Sequence, residues 1–403
     1  MSYTNHYFLK HKLLFFNLTM LLTAFSPFIG EANQNFLLMG VLVFSVIITS
    51  GQLLKPFKNS KVIFLFPITM VISSIYLGDF NSLSYLYSLS FILFFISNLY
   101  LIRTINVKIS NYLTFLKTII YCYFVVLIIQ QSMYILEFDE LFNGISTEGF
   151  RFNILHTEPS YATTVIVALL YSYISIREIQ NNYLYKFSNF KVDIKLWLAC
   201  MYIIFTTGSS IGILLFFLLL FTFIKNFKRI FFLITLTLLA YFIGLSLEFT
   251  PLLRLNDVLL SFVNLNGNYD NIVEADHSAS VRIIPFLMAI SSLEFYSLLG
   301  MGVDFSANYF PTVIPGINEG SYNGGLIPSF IIDHGLLNLI VLIFVIKKFV
   351  ISNFISFPII LLFLVSLNSS LNTQLFWSVM TVLSMNKHYK NIFLNPKIKS
   401  SLN

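Results

Sequence analysis

The stretch RFNILHTEPSYA at 151–162 places a guanidinium (Arg151), an imidazole (His156) and a carboxylate (Glu158) within eight residues, directly ahead of an apolar run. Pro159 suits the first turn of a helix, because it has no N–H to leave unpaired, and Thr157 or Glu158 can cap the groups before it. A helix N-terminus favours negative charge, so with Arg151 and His156 beside it this stretch has the makings of an anion site. Arginine meets phosphate oxygens with planar two-point contacts; at about 4 Å the attraction is roughly 1 kcal/mol in water and about 4 kcal/mol at a partly dry interface. Several such groups converging on a lipid-linked pyrophosphate stabilise it as a leaving group. Glu158, or in second place His156, is then the candidate general base. The plainer reading of the same residues is a capped helix whose arginine reaches lipid headgroups.

Other groups have competing readings of the same kind. Arg282 begins an apolar stretch, where it either binds phosphate or snorkels to headgroups. Arg254, in TPLLRLND, is a further candidate phosphate ligand or the partner of Asp257 on one helical face. Asp333 and His334 lie just inside a late apolar run, where a carboxylate needs a reason to be present: catalysis or a structural partner. His277, in EADHSAS, reads as a solvated loop residue. Gly300 and Gly302, in LGMG, follow no strand and read as a tight turn, not a nucleotide loop. GNYDN at 267–271 lacks calcium-ligand spacing, and no metal is assigned.

The elements that must hold these groups are set by composition. The 403-residue chain is 57% hydrophobic and 10% charged, with a mean hydropathy of +0.81; this is membrane composition, because too few polar residues remain to cover a water-exposed surface. Apolar runs fall at about 13–29, 36–54, 62–77, 83–102, 112–136, 161–176, 196–208, 210–224, 230–247, 326–346, 354–370 and 374–386. The first follows Lys10, His11 and Lys12 without a small-x-small cleavage site and reads as an uncleaved span. Cys122 and Cys200 fall inside apolar runs and read as packing residues.

Charge orients the runs. Of the 24 basic residues, 20 fall on alternate connections or at the termini, which the positive-inside rule makes cytoplasmic. Twelve crossings with both termini inside satisfy every loop. The run 281–299 reads as a helix at the outer interface or packed against the bundle, since making it cross would put Lys347 and Lys348 outside. TTGSS at 206–210 reads as a tight or partly broken connection, tolerable at membrane depth only when buried in protein or lining a wet cavity. One membrane domain, 1–403, thus carries two long outer loops, 137–160 and 248–325, and these hold Arg151, Arg254 and Arg282. Long polar loops on one face point to chemistry or recognition there, and no internal repeat of the transporter kind is evident.

Four stretches together resemble a family. RFNILHTEPSYA is similar to the Arg…Glu-Pro-Ser-aromatic signature of O-antigen polymerases of the Wzy type and their relatives among exopolysaccharide polymerases and O-antigen ligases; Tyr161 takes the aromatic position. TTGSSIGILLFF (206–217) resembles the family's Thr-Gly-Ser turn ahead of a glycine-containing span. SVRIIPFLMAISSLEFYSLLGMGVDF (280–305) resembles its Arg-led apolar helix ending in Leu-Gly-x-Gly, with Arg282, Gly300 and Gly302 in place. NGGLIPSFIIDHGLLNLI (323–340) resembles its Asn…Gly segment before a late span, with Asn323 and Gly335. Two positions depart from the pattern. Ser210 and Ile211 stand where many members carry Arg, and Tyr322 precedes Asn323 where the ligases carry His, which favours polymerase over ligase.

The resemblance covers the C-terminal two-thirds of the chain. It implies an all-α, polytopic protein of about 12 transmembrane helices with GT-C-like glycosyltransferase architecture, in the bacterial inner membrane. The implied activity is polymerisation of undecaprenyl-pyrophosphate-linked oligosaccharide repeats at the periplasmic face, without cofactor or metal. Arg151, Glu158, Arg282 and His156 are the catalytic candidates, and Arg254, Tyr161, Asn323, Asp333 and His334 the substrate-binding ones. Membrane lipid, a chain-length regulator and a flippase are the implied partners; nucleic acid is not. The alternatives are an O-antigen ligase moving finished chains to lipid A–core, and a flippase for lipid-linked repeats. An impermeant thiol reagent applied to intact cells with a permeable outer membrane is expected to label Arg151→Cys and Arg282→Cys but not Lys228→Cys or Lys390→Cys; the reverse pattern overturns the topology.

Overall fold

The computed structural model describes residues 65, 67–72, 82–104, 108–136, 152–154, 156, 158–180, 185, 187–223, 227–263, 269–291, 298–314, 325–353, 356–369, 371 and 373–394. Arg151, Asn323 and the apolar runs 13–29 and 36–54 lie outside them, as does most of 62–77. Every regular element among the described residues is helical: α1 Ser82–Thr104, α2 Ile109–Ile135, α3 Pro159–Gln180, α4 Phe187–Val192, α5 Ile194–Thr206, α6 Ser210–Phe223, α7 Phe227–Ser246, α8 Thr250–Val263, α9 Asp270–Ala275, α10 His277–Ser291, α11 Phe305–Val313, α12 Leu326–Val345 continuing as a π turn Ile346–Val350, α13 Phe357–Asn368 and α14 Gln374–Leu394. Nine of the apolar runs coincide with these helices, so period and length were sufficient to find them. Among the described residues, three segments, Ile109–Ile135, Pro159–Gln180 and Leu326–Val350, are long and apolar enough to cross a membrane.

Helix α3 is the central post. Its side chains are buried almost all round, and α2, α6, α13 and α14 pack against it. A helix apolar on every face belongs inside a bundle. Where α6 crosses it, Gly212 lies so close to Thr163 that a methyl group would overlap the threonine side chain. Small residues at such crossings let helices approach where lipid supplies no hydrophobic drive. Around this centre, Val125, Ile129, Leu198, Phe242, Ile340 and Phe344 point outwards.

Basic groups from distant parts of the chain converge on one end of the bundle. Lys387 Nζ donates to the carbonyls of Lys347, Lys348 and Ile351, satisfying the end of the π turn. Arg103 lies over the ring of Phe349, and Lys390 reaches Ser175. Nearby on α2, α3 and α5 is a buried knot around Asp193, which accepts from Lys117 Nζ (2.9 Å), Tyr173 (2.7 Å), Tyr185 (3.3 Å) and Arg177 Nε (3.4 Å). Trp197 Nε1 donates in turn to Tyr185. Burial by itself would raise the Asp193 pKa, but the hydrogen bonds from Lys117 and Tyr173 and the charges of Lys117 and Arg177 outweigh it and hold the carboxyl below its ordinary value.

At the opposite end, the segment read as a large outer loop folds into helices. α8, α9 and α10 pack in succession, and α10 rests on α12 and α13. A satellite core of Ile272, Ile284, Phe310, Ile314 and Ile332 joins α9, α10, α11 and α12. Phe286 of α10 meets Phe363 of α13 edge-on.

Replacing Asp193 by Asn is expected to leave the partly exposed Lys117 and Arg177 facing a neutral group, costing about 1.5–3 kcal/mol and lowering the melting temperature of the detergent-solubilised protein. Because the folded pKa is depressed, this stabilisation is present above the unfolded value of about 3.8 and is lost as pH falls through the folded value. A melting temperature unchanged in the Asp193→Asn protein sinks this assignment.

Candidate functional site

Glu158 and Arg282, 124 residues apart in sequence, are in contact: Arg282 Nη2 donates to Glu158 Oε2 at 2.6 Å. Ser160 Oγ donates to the same oxygen at 3.0 Å. The helix begins at Pro159, so this carboxylate sits where the first peptide N–H groups of α3 point. The guanidinium is 17% exposed and the carboxylate 42%, so the pair is sheltered on one side and open to the outside on the other.

The described residues just ahead of Glu158 pack into the bundle. Phe152, Asn153, Ile154 and His156 are all buried, and they run antiparallel to α2. Phe152 meets Tyr134 edge-on at 5.8 Å between ring centres. Gln130 then uses both ends of its amide: Nε2 donates to Asn153 Oδ1 (3.2 Å) and Oε1 accepts from Ile154 N (2.9 Å). Deeper along α2, Tyr123 OH and His156 Nε2 are hydrogen-bonded at 3.0 Å with their rings stacked. His156 N donates to Asn153 O, closing a turn in which Ile154 has φ +51°. A β-branched residue in the left-handed region is strained and persists only when its surroundings impose it. Burial pulls the His156 pKa down to about 4, so this ring is neutral at pH 7 and lends the site no positive charge.

The start of α10, the helix that carries Arg282, is fixed by Asp276. Asp276 Oδ1 accepts from Ala279 N, capping the start of α10, while its other oxygen faces Arg254 Nε at 4.0 Å. The local expectation of an Arg254–Asp257 pair is therefore replaced by a contact between helices. Tyr161 is buried in the first turn of α3, one residue beyond Ser160.

Asp333 and His334 belong to a different construction. Helix α12 is broken at Gly335 (φ 76°, ψ 176°). The freed carbonyls of Ile332 and Asp333 accept from Met301 N and Gly302 N, and Leu337 N donates to Leu298 O. Gly300 and Gly335 make this approach possible: both have positive φ, and a methyl group on either would overlap the other segment's backbone. LGMG thus supplies backbone partners to the break as well as turning the chain. The Asp333 carboxylate accepts from Ser306 N (2.7 Å) and Ser306 Oγ (2.9 Å), tying the break to the first turn of α11. His334 is buried, its ring tilted against that of Phe330 at 5.0 Å between centres. Among the described residues, then, the structure joins Glu158 to Arg282 and seats Asp333 in a tertiary anchor.

Gln130, Tyr123 and Ser306 were not singled out from sequence. The pair Gln130–Gln131 in an otherwise apolar run is the one visible signal, because an amide at that depth must find partners.

Alanine at Gly335 is expected to be poorly tolerated, since strain at positive φ adds to backbone overlap with Gly300, for a loss of about 2 kcal/mol or more. Yield and melting temperature of Gly335→Ala, set beside those of the unsubstituted protein, check this. Comparison of the chain with family models, with curated proteins and with solved structures found no match.

Proposed function

We propose that the chain is a membrane glycosyltransferase that polymerises undecaprenyl-pyrophosphate-linked oligosaccharide repeats at the periplasmic face of the inner membrane, within a GT-C-like bundle of twelve spans. The observation that supports this reading is the Glu158–Arg282 contact: a carboxylate fit to act as base and a guanidinium fit to hold phosphate, selected separately by residue type and motif, lie 2.6 Å apart at a helix N-terminus.

Arg282 and Arg151, with Arg254 further along the same face, hold the pyrophosphate of the donor and offset the charge that grows on it. The hydroxyl oxygen of the acceptor's terminal sugar attacks the anomeric carbon of the donor sugar. A new glycosidic bond forms as the bond from that carbon to the phosphate oxygen breaks, and undecaprenyl pyrophosphate departs with the electron pair. Glu158 takes the hydroxyl proton. In the resting pair Glu158 occupies the guanidinium edge that phosphate needs. Phosphate binding and release of the base are then one exchange, which ties proton abstraction to the presence of donor.

Arg151→Ala and Arg282→Ala are each expected to abolish long polymer, leaving single repeats on the carrier and the protein in the membrane. Long polymer stranded on the carrier would indicate a ligase, and single repeats confined to the inner face a flippase; normal polymer in both variants removes the site. Glu158→Gln frees Arg282 of its competitor. It is expected to make no polymer yet bind undecaprenyl pyrophosphate about three- to tenfold more tightly, the scale of a partly exposed ion pair. Weaker binding would mean that the carboxylate itself contacts the ligand.

A further inference from the structure

We infer that Gln130 and Tyr123 of α2 are positioning residues that set the place of Glu158 against Arg282; this rests on the reading of that pair as the reacting site. Tyr123, Gln130 and Tyr134 are spaced seven and four residues apart, which puts them on one face of α2. They engage His156, then Asn153 and Ile154, then Phe152, so the segment is gripped along its length by a single rigid helix.

The grip sets a backbone shape the chain does not favour alone. Ile154 is held at φ +51° while its N–H is satisfied by Gln130, and Asn153 beside it is fixed by the other end of the same amide. Without Gln130, Ile154 N would lose its side-chain acceptor in a buried place, and the extended regions would become open to Ile154. Glu158 lies four residues further on, separated from Ile154 by the His156 contact to Tyr123. A shift in the 153–156 turn is therefore carried to the carboxylate. Misplacement of a reacting group by about 1 Å is worth on the order of a hundredfold in rate. Neither α2 residue touches Glu158 or Arg282 in these contacts, so their effect runs through geometry.

The test uses the full-length protein in nanodiscs with a synthetic polyprenyl-pyrophosphate oligosaccharide, with rates normalised to folded protein. Gln130→Met keeps length and removes both hydrogen bonds; kcat is expected to fall about tenfold or more with KM within about twofold. Tyr123→Phe is expected to lower kcat about threefold or more, again with KM held. Gln130→Glu, a neutral carboxylic acid when buried, can donate and accept as glutamine does; it is expected to work near wild-type rate at about pH 6 and to fail as rising pH ionises it. A loss of stability alone would lower the folded fraction without giving this split or this pH profile. A second arm needs no turnover. With Cys122→Ala and Cys200→Ala as background, Glu158→Cys and Arg282→Cys are joined by a short bis-methanethiosulfonate, and adding Gln130→Met is expected to slow cross-linking about fivefold or more, in line with a displaced segment. Unchanged kcat in Gln130→Met, a rise in KM alone, or unchanged cross-linking overturns the inference. If Glu158→Gln and Arg282→Ala polymerise normally, the glycosyltransferase reading falls, and the cross-linking rate still decides whether α2 positions the pair.

Discussion

A peptide group freed from a helix inside an apolar bundle has to be paired again, and α12 meets that demand at Gly335 with the backbone of 298–302. Much of the α8–α12 end of the bundle depends on this repair. It docks the chain leaving the α10 region onto a long apolar helix, and Asp333 extends the attachment to Ser306 at the start of α11. The satellite core then has a fixed floor at Ile332, on which Ile284 of α10 can rest. Arg282 lies on that helix, so its position over the start of α3 follows from a contact between two glycines far from it in sequence.

The two charged clusters differ in a way that suits different tasks. Asp193 is fully buried and ringed by Lys117, Arg177, Tyr173 and Tyr185, with every partner drawn from the packed α2, α3 and α5 region. Such a group fixes helices and has no room to exchange partners. Glu158 is open on one side, and its contacts to Arg282 and Ser160 leave a face towards the outside. An incoming anion can compete with Glu158 for Arg282 at that open face, whereas the Asp193 carboxylate is enclosed on all sides and keeps its partners.

Helix positions were legible in the sequence because long apolar runs have few alternatives, and the start of α3 at Pro159 followed from local chemistry. Glu158 and Arg282 were legible as candidates by type and motif, but their contact was not, since nothing local links residues 124 apart. Arg254 shows how local rules give way: Asp257 sits within helical reach, yet the partner is Asp276, brought over by the packing of α8, α9 and α10. LGMG announced a turn through its glycines, while its use as backbone partner to α12 required knowing that Gly335 breaks that helix. Gln130 and Tyr123 were hidden by the apolar surroundings that make their hydrogen bonds strong.

The Asp193 knot also sets an order in time. Lys117 is synthesised 76 residues before its counter-ion, an interval of about 4–15 s at typical elongation rates of about 5–20 residues per second. During that interval its long side chain, which leans towards the start of α2, can carry its ammonium to that end of the helix and keep it hydrated. When Asp193 emerges and folds back, the lysine exchanges water for its counter-ion, and three helices that left the ribosome separately become one unit.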